Sequence, residues 1–190
     1  MVEWEWFRVN INYYIITILL LIVIISQLIV NINKYKKMAL TDATTGLLNK
    51  YALIKFMRNK SKDTYVMYYI DLDEFKNIND QYGHDCGDYV LKQVADRLSL
   101  ITNQGEQIYR IGGDEFIYPA KSHTKKIQET MSFAILDSIK QPIDFEGEHI
   151  EVSATIGISE SLQLKETLIK EADQALLLAK RYRKGSFMHY

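Results

Sequence analysis

Residues Tyr65 to Leu72 read YVMYYIDL, an apolar and aromatic run with no charged or amide side chain before Asp71. A strand exposed on one face alternates apolar with polar residues, so a continuous β-rich run predicts a strand buried on both faces, at the centre of a sheet. Towards the N-terminus, Leu53, Ile54, Phe56 and Met57 share one helical face and predict a helix over Leu48 to Asn59. Towards the C-terminus, Val90, Leu91, Val94, Leu98 and Ile101 do the same for Asp88 to Thr102. Ile108 to Ile111 and Glu115 to Tyr118 predict two short strands that meet at Gly112 and Gly113 as a hairpin. A helix from about Thr124 to Lys140, strands at Ile143 to Phe145 and Ile150 to Ile158, and a last helix from Lys165 to Tyr182 complete the pattern. Strands and helices in this alternation make an α/β (α+β) domain, a mixed central β-sheet flanked by helices.

The start of the chain is of another kind. Ile11 to Ile32, INYYIITILLLIVIISQLIVNI, carries no charge and has the length a helix needs to cross hydrocarbon. Trp4, Trp6, Phe7, Tyr13 and Tyr14 stand where interfacial aromatics anchor one end of a span, and Tyr35 the other. A buried helix of a soluble protein keeps a polar stripe, whereas this one has only Thr17, Ser26 and Gln27 between its ends. A cleaved signal peptide starts basic, whereas here Glu3 and Glu5 precede the span with Arg8. Lys34, Lys36 and Lys37 follow it, so the positive-inside rule predicts a single-pass protein of the inner (cytoplasmic) membrane, N-terminus outside and the rest in the cytosol. Residues 1–37 are read as the anchor in the lipid bilayer and 38–190 as one domain, with no room between them for a separate sensor.

Of 190 residues, 47% are hydrophobic and the formal net charge is -1, which argues against disorder and against a broadly basic, nucleic-acid-binding surface. Cys86 is the only cysteine, so an internal disulfide and a cysteine-rich zinc site are excluded; a small buried side chain is its expected role.

Acidic residues gather at the predicted strand ends. Asp71 and Asp73 close the central run, and Asp114 with Glu115 follows the Gly-Gly turn. Oxygen ligands without His or Cys suit Mg²⁺, held by one or two carboxylates and the phosphates of a nucleoside triphosphate. Two glycines permit positive φ and a close approach to the main chain, although a plain tight hairpin with solvated acids gives the same four residues. Neither GxxxxGK[ST] nor GxGxxG occurs, so neither a P-loop nor a Rossmann dinucleotide site is supported.

YRIGGDEF, Tyr109 to Phe116, resembles the signature of the GGDEF family of diguanylate cyclases. DATTGLLNK (Asp42 to Lys50) resembles the family's DxLTGLxNR, and IDLDEFKNINDQYGHDCGD (Ile70 to Asp88) its DxDxFKxxND…GHxxGD stretch. VSATIGIS (Val152 to Ser159) and ADQALLLAK (Ala172 to Lys180) are similar to its two remaining segments, in order. The resemblance implies a fold like that of nucleotidyl cyclases and polymerase palms, and condensation of two GTP into cyclic di-GMP and pyrophosphate by a homodimer. It implies Mg²⁺ (or Mn²⁺) held by Asp71, the Leu72 carbonyl, Asp114 and Glu115. Glu115 is also the implied helper in deprotonating the attacking 3′-hydroxyl. Asn79 and Asp88 match guanine-reading positions, and a carboxylate at Asp88 finds the N1 and N2 hydrogens of guanine but no equivalent on adenine. His84 would touch ribose or base, or stabilise its turn; Lys76 and Lys180 match phosphate-contacting lysines. Phe75 packs beside backbone amides able to cradle phosphate, and Asp73 is expected to orient the following loop.

Three departures matter. The tail reads AKRYRKGSF where the family has AKxxGRN, so Lys184, or a displaced Arg183, stands for a phosphate-binding arginine; charge is kept and bidentate geometry is not. Thr44 replaces a leucine. The family's RxxD product-inhibition site reads NQGE, Asn103 to Glu106, which predicts no inhibition through that site. The rival reading is a catalytically weak membrane module that binds GTP or a partner; a second enzymatic rival makes a mixed guanine-adenine dinucleotide, against which Asp88 argues.

Overall fold

The computed structural model describes residues 2–59, 64–103, 105–161 and 165–190, and of 2–12, 161, 165 and 166 the backbone only. The expected interfacial side chains Trp4, Trp6 and Phe7, the charges Glu3, Glu5 and Arg8, and Gln104 of the NQGE segment lie outside what is described. Contacts divide the chain into two compact units, one ending at Ala39 and one beginning at Leu40.

The first unit belongs to a single helix, α1 (Val2–Leu40). Among the described residues, Tyr13–Leu40 is the one stretch long and apolar enough to cross a membrane, and none of its apolar window is buried in protein. Its few polar groups turn back on the helix: Thr17 Oγ1 donates to the Tyr14 carbonyl at 2.8 Å and Ser26 Oγ to that of Val23 at 2.7 Å. That is how hydroxyls are satisfied where water is scarce.

The second unit runs β1 (Leu48–Asn49), α2 (Lys50–Arg58), β2 (Tyr65–Leu72), α3 (Phe75–Tyr82), α4 (His84–Ile101), β3 (Tyr109–Arg110), β4 (Glu115–Lys121), α5 (Lys125–Lys140), β5 (Ile143–Phe145), β6 (Glu148–Ile150), β7 (Ala154–Ser161), α6 (Lys165–Tyr182) and β8 (Phe187–His189). Six strands form one sheet in the order β1-β3-β4-β2-β7-β8, and β5 pairs with β6 alone. β2 lies inside the sheet, antiparallel to both β4 and β7, while β1–β3 and β7–β8 are parallel. The sheet is therefore mixed, with helices on both faces.

Alternation along β2 sorts the core. Val66, Tyr68, Ile70 and Leu72 join Val90, Val94 and Leu98 of α4 and Ile135 and Ile139 of α5. Met67 and Tyr69 join Leu53 of α2 and Leu168, Ala172 and Leu176 of α6. By the same parity Asp71 falls on the α2/α6 side. Helix α6 lies tight on β7 at Gly157, where a Cβ would stand 1.9 Å from the Ala172 carbonyl oxygen and 2.4 Å from the Leu176 nitrogen. Only glycine permits that contact.

Several boundaries differ from expectation for visible reasons. Leu48 and Asn49 do not begin the helix: they pair with Tyr109 and Arg110, and Asn49 Oδ1 caps α2 by accepting from the Tyr51 and Ala52 amides at 3.0 and 3.1 Å. Helix α4 starts earlier, at His84, because the chain break is Gly83 with φ 86. The strand expected over Ile150 to Ile158 is two: Ile150 pairs with Ile143 in β6, and β7 begins at Ala154. Helix α3 and strands β1 and β8 have no counterpart in the sequence reading.

Candidate active site

The acids converge where β2 meets the hairpin between β3 and β4. Asp71 is the register partner of Glu115, and the Leu72 amide donates to the Asp114 carbonyl at 3.1 Å. Lys180 of α6 reaches over this corner and donates to Asp71 Oδ1 at 2.5 Å. It can do so because α6 is seated on Gly157 one turn earlier, at Leu176. Burial pushes the Asp71 carboxyl above its ordinary range, Lys180 pulls it down, and Asp114 and Glu115 push it up again. Asp71, Asp114 and Glu115, with the Leu72 carbonyl alongside, make a corner of hard oxygen atoms. Among the described residues no three acidic, His or Cys side chains form a metal cluster by themselves.

Neither Gly112 nor Gly113 has positive φ, contrary to the expected turn geometry. The reason for glycine at 112 is space: a Cβ there would lie 2.2 Å from Glu115 Oε2. Glu115 Oε1 accepts from the Tyr69 hydroxyl at 2.8 Å, which fixes one of its two oxygens.

A second group forms around α3 and α4. Phe75 is buried in the core. Asn79 is half-buried and packs on Gly87, where a Cβ would meet Asn79 Oδ1 at 1.9 Å. Asp88, next in sequence to Gly87, is exposed, as are His84 and Lys76. Among the described residues, no hydrogen bond or ion pair joins this group to the acids.

Between the two groups runs the loop after β2. Glu74 has φ 56, a left-handed conformation that is uncommon for a residue with a side chain. Asp73 is buried and holds the loop to the tail: it accepts from Ser153 Oγ and Thr155 Oγ1, both at 2.7 Å, and from the Gly185 amide at 3.0 Å. Lys184, next to that anchor, pairs with Glu74 at 2.9 Å on the surface rather than with the acidic corner. Arg183, which also stood for the family arginine, is exposed.

Two further ties were not foreseen. Arg110 bonds Asp42 Oδ1 at 2.7 Å and the Gly113 carbonyl at 2.8 Å, linking the DATTGL turn to the glycine hairpin. Glu106, at the aspartate place of RxxD, accepts from the Tyr118 hydroxyl, from the Lys121 amide at 2.9 Å and from Asn103 Nδ2 at 3.1 Å. Its carboxylate is consumed in holding β4.

The sequence profile described as "Diguanylate cyclase, GGDEF domain" matches residues 39–186. Diguanylate cyclase DgcP of Pseudomonas aeruginosa is 35% identical over 158 residues, 77% of this chain and 23% of its own length. Cyclic di-GMP phosphodiesterase NbdA of the same organism is 32% identical over 151 residues, 74% of this chain and 19% of its own. The chain thus spans about a fifth to a quarter of these curated relatives. The crystal structure of diguanylate cyclase SiaD with its activator SiaC, again from P. aeruginosa, aligns with a TM-score of 0.76 at 26% identity, over 87% of this chain and 67% of that one. With the signature segments arranged around one sheet and a match over residues 39–186, the chain belongs to the GGDEF domain family.

Proposed function

We propose that this protein is a membrane-anchored diguanylate cyclase that condenses two GTP into cyclic di-GMP and pyrophosphate as a homodimer. The observation that carries the reading is the register placing Asp71 opposite Glu115, with Leu72 bonded to Asp114 and Lys180 above. Asp71, the Leu72 carbonyl, Asp114 and Glu115 are the residues to hold Mg²⁺ or Mn²⁺, which when bound stabilises charge on the attacking and leaving oxygens. Glu115 accepts the proton of the 3′-hydroxyl. Lys180, already over the acids, and Lys76 neutralise phosphates. Lys184 does so after exchanging Glu74 for phosphate. Asn79 and Asp88 read the guanine edge, with His84 and Phe75 beside them. Because each domain orients one nucleotide, two domains must face each other for reciprocal attack.

The exposed apolar stretch of α1 and the lysines after it support a single-pass anchor with the catalytic domain in the cytosol. Residues 1–37 are the proposed anchor and 38–190 the proposed catalytic domain. The engagement of Glu106 within β4 supports activity free of product inhibition at the NQGE segment.

The test is to incubate the full chain in lipid nanodiscs with GTP, ATP and Mg²⁺ and identify products by mass. Cyclic di-GMP from the wild type and none from Asp114→Asn is the expected result. GTP binding without product would favour the rival module, which the pairing of Lys184 with Glu74 supports. A mixed dinucleotide would show that Asp88 does not enforce guanine.

A further inference from the structure

We propose that Tyr69 is the positioning residue of Glu115: its phenol fixes one carboxylate oxygen so that Glu115 is presented, together with Asp71 and Asp114, to the divalent cation and the attacking hydroxyl. The inference rests on the cyclase reading above and names a residue outside the signature that the reaction depends on.

The geometry follows from strand parity. Tyr69 and Asp71 project from the same side of β2, Asp71 faces Glu115 in the register and Tyr69 faces Ile117, so the phenol reaches Glu115 along the diagonal. The hydroxyl donates to Oε1 at 2.8 Å, and the missing Cβ of Gly112 leaves Oε2 its place. A glutamate free at a strand end samples several rotamers; this one meets a donor at Oε1, and its Oε2 occupies space that any side chain at position 112 would contest.

Tyr69 itself cannot wander. It is 7% exposed and packs in the cluster of Leu53, Met67, Ile117 and Leu176. Its other edge lines a cavity of about 420 Å³ between α2 and α6, with Met57, Ile111 and Ile169. A ring held by packing carries its hydroxyl to one point, which is how a supporting residue transmits precision to a reacting one.

Tyr69→Phe keeps the ring and removes only the donor. The experiment is a double-mutant cycle on the full chain in nanodiscs, with Mn²⁺ alone as the probe and its binding read by electron paramagnetic resonance. Tyr69→Phe is expected to weaken Mn²⁺ binding roughly tenfold in the wild-type background, the scale of one hydrogen bond to a charged group. In the E115Q background it is expected to change binding less than about twofold, because the only group it acts through is altered. With GTP and Mg²⁺, Tyr69→Phe lowers kcat and leaves KM for GTP unchanged, since the guanine-facing residues sit on α3 and α4. A thermal melt within a few degrees of wild type confirms that the fold persists. Equal losses of Mn²⁺ affinity in both backgrounds, or no loss in either, overturn the proposal. If the wild type makes no cyclic di-GMP but the cycle shows coupling, Tyr69 keeps its role and the cyclase reading falls. If product forms without coupling, the reverse holds.

Discussion

At Gly112 a single methyl group would crowd the Glu115 carboxylate. An alanine there would place its Cβ 2.2 Å from Glu115 Oε2, so the carboxylate must move. Gly112→Ala is expected to lower cyclic di-GMP turnover on the order of a hundredfold, the penalty of a reacting group displaced by about 1 Å. Gly113→Ala has nothing within 4 Å of its new atom and should leave stability unchanged, which melting curves of the two variants will compare. Glu106 sets a different kind of test. Burial pushes its carboxyl up, but bonds from Tyr118, Lys121 and Asn103 outweigh this and leave it below the ordinary value of 4.5. A carboxyl depressed in the folded state contributes stability that is present above that value and lost as the pH falls through the folded one. Urea unfolding at about pH 6 and about pH 3.5 should therefore show a smaller acid loss for Glu106→Gln than for wild type; equal losses would contradict the tie. The acids, Asn79 and Asp88 were legible because they sit in contiguous segments with a family pattern. The contacts that hold the site together were not. Tyr69 lies 46 residues from Glu115, Lys180 109 from Asp71 and Arg110 68 from Asp42, so each contact exists only once strands and helices have been laid together.

The elements divide along the same line. Strand β2, the hairpin, α5 and α6 were readable because each carries its own periodicity. β1 and β8 are two and three residues long, too short for any pattern, and form by pairing with β3 and β7. Helix α3, FKNINDQY, offers only Phe75, Ile78 and the half-buried Tyr82 as an apolar face and is bounded by Glu74 in a left-handed conformation and Gly83 with φ 86. The seating of α6 is the elemental feature with the widest reach. Gly157→Ala would push a Cβ against helix backbone at Ala172 and Leu176, neither of which can swing aside. Overpacking of this kind costs about 1–3 kcal/mol or more, to be seen as a lower urea midpoint. Lys180 rides on the same helix, so the folded fraction should also turn over more slowly. A normal rate at full stability would mean that α6 finds another seat.

For the molecule as a whole, the proposed anchor and catalytic domain are joined through the end of α1. Inserting one to four alanines between Lys37 and Thr41 turns whatever follows by about 100° per residue if the helix continues. Activity in nanodiscs is then expected to rise and fall with helical phase; a flat response would argue against transmission through the helix. The outline of the sheet bears on how such molecules keep company. Its rims, β1 and β8, offer ladders of only two and three residues. An incoming strand from a neighbour would find only these short ladders to extend at β1 and β8 themselves. Copies crowded into a small area should therefore resist zipping together through these two strands, and contact between copies is expected to draw on other parts of the surface.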